Sequence, residues 1–315
     1  MELRVLRYFL TVAREGNITA AANSLHVTQP TLSRQIRDLE EELGQQLLVR
    51  KSHRVALTPE GMLLRKRAEE IVAMTDKTEE EFRAMKGELS GDVYIGGGET
   101  DAMNLIAAVC RELWEEHPGI RYHLYSGNAQ DVTERLDKGL LDFGLLIQPT
   151  DIAKYDYLSL PAKDTWGVIL RRDAPLAEKT CIRAEDLSGI PLIFSRQVLE
   201  ERSEGNELAG WFGPAWDDLH IVTTFNLCYN AAVMAKQGLG YVVSLDKLVD
   251  TSEGSPLCFR PLEPPLESGL DIVWKKYQVF SAAAEAFLNR LRERYGKNRT
   301  GGSIQPDTTA KRRVL

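Results

Sequence analysis

The first sixty residues place apolar side chains at the three- and four-residue spacing of amphipathic helices. Three helices are predicted, with stops at Gly16 and Gly44 and a cap on the second at Asn17. Pro30 lies in the first turn of the third, where its missing N–H costs little, and the Thr28 hydroxyl is expected to accept a first-turn N–H. Their apolar positions are Leu6, Phe9, Leu10 and Ala13, then Ile18, Ala21, Ala22 and Leu25, then Leu32, Ile36, Leu39 and Leu43. The short link between the second and third helices predicts a helix-turn-helix.

The third helix has a polar and basic outer face near its N-terminus, with residue types that bind base edges and phosphates. These outward residues are Gln29, Thr31, Arg34 and Arg37. The acidic residues between Asp38 and Glu42 are confined to its C-terminal half. A pair of surface arginines is more often solvated than bound to DNA, so this helix alone leaves both interpretations open.

A second basic element follows in the stretch LLVRKSHRVALTPEG. Two short apolar runs, 47–49 and 55–57, enclose a basic tip and predict a β-hairpin. The tip residues are Arg50, Lys51, His53 and Arg54. A hairpin wing beside a helix-turn-helix would place this tip on the phosphate backbone of DNA.

The middle of the chain predicts one long helix. It starts at Thr58 and Pro59, and after the first turn no helix breaker occurs before Gly87. Two interleaved seven-residue rows run along it, Ala68, Thr75, Phe82 and Leu89, and Leu64, Ile71, Thr78 and Met85. The alternative is a helix packed on its own chain, but its length and narrow apolar stripe favour self-association.

From Gly91 onward, short β-rich runs alternate with helical patterns, which indicates an α/β fold. The strand candidates are DVYIGGG, IRYHLYSG, DFGLLIQ, TWGVILR, PLIFS, HIVTTF, GYVVSL and LDIVWKK. Helices are expected near 101–116, 129–138, 227–237 and 279–294. Ligands in such folds gather where strands end and the following helices begin, so a binding site is expected at those ends.

The run from Phe9 to Gly61 resembles the winged helix-turn-helix of the LysR-type transcriptional regulators at essentially every position. The stretches GLLDFGLLI, EDLSGIPLI and AAVMAKQGLGYVVS are similar to the effector domain of that family. The resemblance implies a sequence-specific regulator whose third helix enters the major groove. Together, the helix and the wing give these candidate DNA-binding residues: Thr28, Gln29, Pro30, Thr31, Ser33, Arg34, Arg37, Lys51, His53 and Arg54.

The resemblance also implies an organisation: a winged helix-turn-helix, a dimerising linker helix and a two-lobed α/β domain similar to periplasmic binding proteins. The chain is expected to cross between the lobes near 162 and 267. The expected boundaries are 1–58 for DNA binding, 59–89 for the linker, 90–162 with 268–296 for lobe I, 163–267 for lobe II, and 297–315 for a disordered tail. The partners it implies are a promoter inverted repeat in double-stranded DNA, a small-molecule effector and further copies of the chain as dimer or tetramer, with RNA polymerase as an additional candidate.

Eight residues at strand ends are implied to bind the effector, namely Thr100, Asp101, Ser126, Asn128, Gln148, Ser195, Arg196 and Asn226. An inward-facing Arg196 would favour an anionic effector, because guanidinium binds carboxylate or phosphate through two hydrogen bonds. Asp101 would oppose an anion or favour an amine, and the sequence does not decide between them. The GGGET stretch lacks the spacing of nucleotide-binding loops and is expected to line a small-ligand cleft.

Charge and composition narrow the function. Residues 1–67 carry 11 Lys or Arg against 7 Asp or Glu, and residues 91–315 carry 25 against 32, so the basic end is the one suited to a polyanion. No membrane span or export signal is found, which predicts a cytoplasmic protein. Four separated cysteines are expected to be reduced thiols, and no metal or cofactor motif or catalytic motif is present. A cytoplasmic solute-sequestering protein and a ligand-independent DNA-binding repressor remain the alternatives.

Overall fold

The computed structural model of the chain describes residues 1–51, 54–84, 89–200 and 206–296. The chain divides into two compact units, Met1–Asp92 and a second unit that begins at Val93. The predicted tail, 297–315, and His53 at the wing tip lie outside the described residues. Within the described residues, none of the helices combines the length and the apolar character needed to cross a bilayer.

The described residues of the first unit form four helices and a two-stranded hairpin, as the apolar spacing predicts. Its elements are α1 Leu3–Glu15, α2 Ile18–Ser24, α3 Gln29–Leu43, β1 Leu48–Lys51, β2 Arg54–Leu57 and α4 Pro59–Ala84. Phe9, Leu32 and Ile36 have no exposed surface and form the centre of its core. Leu43, predicted to face inward, is instead 39% exposed, because the last turn of α3 extends beyond the core.

The helix ends confirm most of the predicted capping. Gly16 and Gly44 both adopt the left-handed conformation, at φ 60° and 63°, where glycine avoids a Cβ clash. The Asn17 side chain accepts a hydrogen bond from the Ala20 amide at 3.0 Å. The predicted cap at Thr28 is wrong in one respect: its hydroxyl lies 2.8 Å from the Thr31 hydroxyl and makes no cap bond to a backbone amide.

Helix α4 packs on α1 of its own chain and also leaves apolar residues in solvent. The Thr58 hydroxyl accepts from the Gly61 amide at 2.9 Å, which caps the start of α4 as predicted. Ala68 is fully buried and Arg7 of α1 pairs with Asp76, so part of the heptad surface is used within the chain. Ile71 and Phe82 of the heptad rows are more than a third exposed, and so are Met62 and Leu63, which lie near the start of α4 outside those rows.

The second unit alternates strands and helices. Its strands are β3 Gly91–Gly97, β4 Ile120–Ser126, β5 Phe143–Ile147, β6 Tyr155–Arg171, β7 Leu192–Ser195, β8 Ile221–Phe225, β9 Tyr241–Leu245, β10 Leu257–Pro261 and β11 Glu267–Lys275. Its helices are α5 Met103–Glu116, α6 Ala129–Asp137, α7 Arg196–Glu200, α8 Glu207–Phe212, α9 Cys228–Lys236 and α10 Ala282–Tyr295. Short 3-10 turns cover Pro175–Glu178, Ala184–Leu187 and Gly213–Asp218.

Two sheets share the long strand β6, and each sheet is the centre of one lobe. The first has the order β4-β3-β5-β11-β6 and the second the order β6-β9-β7-β8, with β10 on the other edge of β6. β6 pairs with β11 from Tyr155 to Thr165 and with β9 and β10 from Trp166 to Arg171. This strand therefore carries the chain from one lobe to the other.

All eight strand candidates and all four helices predicted in this unit are confirmed. The prediction missed β10, the first half of β6, and the short helices α7 and α8. These segments lack a clear hydrophobic periodicity, and their conformation depends on pairing and packing with the elements next to them in the fold. Gly167 shows how closely β10 approaches β6, since a Cβ there would lie 2.2 Å from the Phe259 ring and 2.5 Å from the Arg260 carbonyl oxygen.

Candidate functional site

The first candidate site is the solvent-facing surface of α3. Gln29, Thr31, Arg34 and Arg37 are all exposed there. The Arg34 side chain is 81% exposed and lies 3.8 Å from Asp38, a long contact that leaves its guanidinium accessible. The four residues therefore present amide, hydroxyl and guanidinium donors on one helix.

The other three predicted DNA-binding residues at the start of α3 differ in how far they are exposed to solvent. Thr28 and Pro30 are exposed at the start of the helix. Ser33 is a correction: it is only 9% exposed and lies beside the buried Leu32. An inward position counts against base or phosphate contact, so the structure gives no support to Ser33 as a DNA-binding residue.

The hairpin wing is fixed to the rest of the first unit. Lys51 and Arg54 are opposite each other in the β1–β2 register, which places their backbones at the tip. The Val55 amide donates to the Gly16 carbonyl at 2.8 Å and ties β2 to the end of α1. Glu40 of α3 accepts from the amides of Leu47 and Leu48 at 2.8 and 3.1 Å. From the sequence, Glu40 was only one of the acidic residues in the C-terminal half of α3. In the structure its carboxylate joins α3 to the wing.

The second candidate site is the central cavity, a space of about 90 Å³ between the two lobes of the second unit. Three predicted effector-binding residues line it, namely Asn128, Ser195 and Asn226. The rest of the lining includes residues of β5 and β9, the aromatic residues Trp166 and Phe225, and Glu99. Asn128 is also the cap of α6, since its side chain accepts from the Asp131 amide at 2.8 Å.

Two further cavities adjoin the central one. The Gln148 cavity, of about 110 Å³, is lined by Gln148 and Ser195 among others. The Lys247 cavity, of about 260 Å³, is lined by Thr100, Ser126, Glu99 and Lys247 among others. Six of the eight predicted effector-binding residues therefore line these three neighbouring cavities.

Asp101 and Arg196 do not line any of these three cavities. Asp101 pairs with Lys247 at 3.2 Å, and Arg196 is 56% exposed with its guanidinium 4.0 Å from Glu200. Because Arg196 begins α7 and faces solvent, it gives no support to the predicted preference for an anionic effector.

Hydrogen bonds cross between the lobes at the rim of the central cavity. The Glu99 carboxylate of the first lobe accepts from the Cys228 amide of the second, and the Ala129 amide donates to Gln197 Oε1 at 3.2 Å. Gln148 is held by Asp271, whose Oδ2 accepts from its amide nitrogen at 2.7 Å. The sequence-based prediction missed Glu99 and Gln197, although each is adjacent to a residue it selected.

Asp164 of β6 is a buried carboxyl, 5% exposed, close to the predicted residues Thr100 and Asp101. Its Oδ2 has no hydrogen-bond partner in the part of the chain that the structure describes. Burial, with a smaller contribution from Asp101, raises the pKa of Asp164 above its ordinary value, while a hydrogen bond from Thr100 and the charge of Lys247 act in the opposite direction.

We expect the free energy of unfolding of the wild type to fall relative to that of Asp164→Asn as pH rises above about 4. When folding raises the pKa of a carboxyl group, the group stabilises the folded state at pH values below its pKa in the unfolded chain. That stabilisation is lost as the pH rises through the pKa of the group in the folded protein. Urea unfolding between pH 4 and 8 measures the difference. Asp173→Asn is a control of opposite sign, since Arg171 lowers the pKa of Asp173. Parallel stability curves for wild type and Asp164→Asn would contradict the prediction.

The cysteines are free thiols, and Cys228 and Cys258 are each only 1% exposed. Burial raises the pKa of Cys228 to about 11 and that of Cys110 to about 12. A thiol with a pKa of about 11 is ionised in about one molecule in ten thousand at pH 7. The thiols of Cys110 and Cys228 are therefore poor nucleophiles in the folded protein.

Two family models match most of the chain. Residues 3–62 match the family model described as bacterial regulatory helix-turn-helix protein, lysR family, and residues 86–296 match the LysR substrate binding domain. The Hca operon transcriptional activator HcaR of Escherichia coli (strain K12) is 31% identical over 93% of this chain and 98% of its own length. The hydrogen peroxide-inducible genes activator of Escherichia coli O6:H1 is 32% identical over 61% of this chain and 63% of its own.

A solved structure extends the likeness to the fold. The crystal structure of full-length CbnR complexed with its target DNA has a TM-score of 0.71 and 20% sequence identity, covering 93% of this chain and 99% of that one. The first family model covers the helix-turn-helix and the wing, the second covers nearly all of the second unit, and most of α4 lies between the two matched ranges. The chain therefore belongs to the LysR family of transcriptional regulators, with a helix-turn-helix DNA-binding domain followed by an effector-binding domain.

Proposed function

We propose that the protein binds inverted-repeat promoter DNA through α3 and the wing, under the control of a small molecule held in the central cavity. The observation that carries this proposal is the exposed polar and basic N-terminal half of α3, with Arg34 and Arg37 accessible and Glu40 fixing the wing beside it. CbnR, which shares the fold, is described in complex with its target DNA. In this proposal Gln29, Thr31, Arg34 and Arg37 contact DNA, and the wing tip contacts phosphates.

The boundaries proposed for this division of labour are those expected from the sequence, 1–58, 59–89, and the lobes 90–162 with 268–296 and 163–267. Self-association is part of the proposal, because an inverted repeat requires two symmetric copies of the reading helix. Exposed apolar side chains on α4, among them Leu63 and Phe82 at 61% and 65% exposure, support a contact with a second copy. A cytoplasmic location and contact with RNA polymerase belong to the same proposal.

Effector control would act through the lobes. A ligand shifts the equilibrium between two states only by the difference between its affinities for them. The contacts of Glu99 with Cys228 and of Ala129 with Gln197 cross between the lobes beside the central cavity, so a bound molecule would change their geometry. This placement supports a regulated binder over a ligand-independent repressor.

Gel-shift titration with the DNA upstream of the protein's own gene tests the proposal. Specific binding that weakens with salt is expected, since phosphate contacts release counterions. Binding equal to that of a scrambled duplex at the same salt concentration would refute a sequence-specific regulator and favour a protein that only sequesters a solute.

We expect brief peroxide treatment to leave the thiols of Cys110 and Cys228 intact, although one relative is a hydrogen peroxide-inducible genes activator. The raised pKa values of Cys110 and Cys228 keep those thiols protonated at neutral pH, and thiols react with peroxide as thiolates. Mass spectrometry after brief peroxide treatment at pH 7 should find both residues unoxidised in the folded protein. Chemically unfolded protein is the control in which both become reactive, and rapid oxidation of Cys228 in the folded state would contradict the expectation.

A further inference from the structure

The central cavity has a single charged side chain among its described lining residues, and that side chain is an acid, Glu99. We infer that the small-molecule effector carries a protonated amine that pairs with Glu99, and that Glu99 is the residue that selects its charge. This inference rests on the proposed function, since it concerns the ligand of the same cavity.

The Glu99 carboxylate is held in place by a contact from the opposite lobe. One of its oxygens accepts from the amide of Cys228, the first residue of α9. Leu227, which precedes α9, offers no side-chain cap, so Glu99 supplies the acceptor at this helix start. An anionic ligand would find this amide already occupied by the Glu99 carboxylate.

No positive side chain offsets Glu99 in the described wall of the central cavity. The nearby cations have acidic partners: Lys247, which lines the adjoining Lys247 cavity together with Glu99, pairs with Asp101 at 3.2 Å, and Arg196 faces solvent near Glu200. A ligand carboxylate would be repelled by Glu99 at short range, whereas an ammonium group would be attracted. A carboxylate has two oxygens, so the contact with Cys228 leaves acceptor capacity for a ligand.

The remaining lining suits the rest of such a molecule. Neutral hydrogen-bonding side chains are present as Asn128, Ser195 and Asn226, and apolar ones as Leu145, Ile147 and Val243. Trp166 and Phe225 belong to the same wall, and aromatic rings attract cations. The cavity volume of about 90 Å³ is below the roughly 150 Å³ that holds benzene in an engineered core, so the part of the ligand held beside Glu99 is small.

The test compares three probes of equal length, n-butylamine, butyrate and n-butanol, by titration calorimetry on the full chain. Butylamine is expected to bind more tightly than the other two. In Glu99→Gln its dissociation constant should rise about tenfold or more, the loss expected when a hydrogen bond to a charged group is removed. The glutamine oxygen can still accept from the Cys228 amide, so the variant should keep its fold, which the melting temperature without probe verifies.

Glu115→Gln is the matched control, because Glu115 is an exposed residue of α5 paired with Arg111 and does not line the central cavity. It should bind butylamine as the wild type does. Absence of butylamine binding, tighter binding of butyrate, or equal butylamine affinity in wild type and Glu99→Gln would each overturn the inference. The gel shift without ligand is independent of these results, so loss of the proposed DNA-binding function would be seen separately.

Discussion

The double substitution Arg34→Ala with Arg37→Ala should lower the affinity for the promoter site by about a hundredfold or more. A well-placed arginine contributes about 1–3 kcal/mol when it binds a guanine edge, and it releases a condensed counterion from the DNA when it binds a phosphate. Both guanidinium groups are exposed on α3, and the contact of Arg34 with Asp38 at 3.8 Å is too weak to compete with DNA. Removal of both should also reduce the salt dependence of binding by about two counterions.

The measurement is fluorescence anisotropy with the promoter duplex at several salt concentrations. Arg14→Ala with Arg111→Ala is the matched control, because it removes the same charge from exposed positions outside α3. The control should change affinity only slightly, through the general field of the protein. If the control weakened binding as much as the α3 variant did, the contacts would be nonspecific and the assignment of α3 would be wrong.

Gly61→Ala should destabilise the first unit by about 3 kcal/mol or more and abolish DNA binding at 37 °C. Gly61 lies in the first turn of α4, and a Cβ there would be 2.1 Å from the Leu47 carbonyl oxygen and 3.2 Å from Leu57 Cδ2. The Leu47 oxygen also accepts from the Thr58 amide at 3.0 Å, so the backbone cannot move without loss of that bond. The added methyl group would therefore push α4 away from the wing.

Urea unfolding and the gel shift measure the two effects of Gly61→Ala. Gly210→Ala is the control with the same chemical change, since nothing in the described part of the chain lies within 4 Å of where its new methyl group in α8 would be. That change should be neutral or stabilise the second unit by about 0.5–1 kcal/mol, because alanine loses less backbone entropy than glycine in a helix. A Gly61→Ala protein with wild-type stability would show that α4 and the wing do not need this close approach.

The helices of the first unit could be predicted because their signals are local. Apolar spacing, the glycines at residues 16 and 44 and the Asn17 cap act within one or two helical turns. The prediction was less accurate at Thr28. Its hydroxyl was expected to accept a hydrogen bond from a backbone amide and instead pairs with the Thr31 hydroxyl. Glu40 shows the same limit, since its role depends on β1 lying beside α3.

The ligand site was predicted less well. The sequence identified polar residues at strand ends, and Asn128, Ser195 and Asn226 do line one cavity. It could not distinguish Glu99 from its neighbour Asp101, because both follow β3 and only their packing separates them. Glu99 contacts the opposite lobe at Cys228, whereas Asp101 pairs with Lys247 outside the central cavity.

The family, the order of the helices and most strands, and the basic character of the DNA-binding end follow from the sequence alone, because each depends on residue type and on spacing along the chain. The three-dimensional fold was needed to show which side chains meet across the two lobes, that Ser33 is buried, and that Arg196 faces solvent. The cause of this difference is separation along the chain. Glu99 and Cys228 are 129 residues apart, and only the folding of β3 and α9 into adjacent lobes brings the carboxylate to the amide.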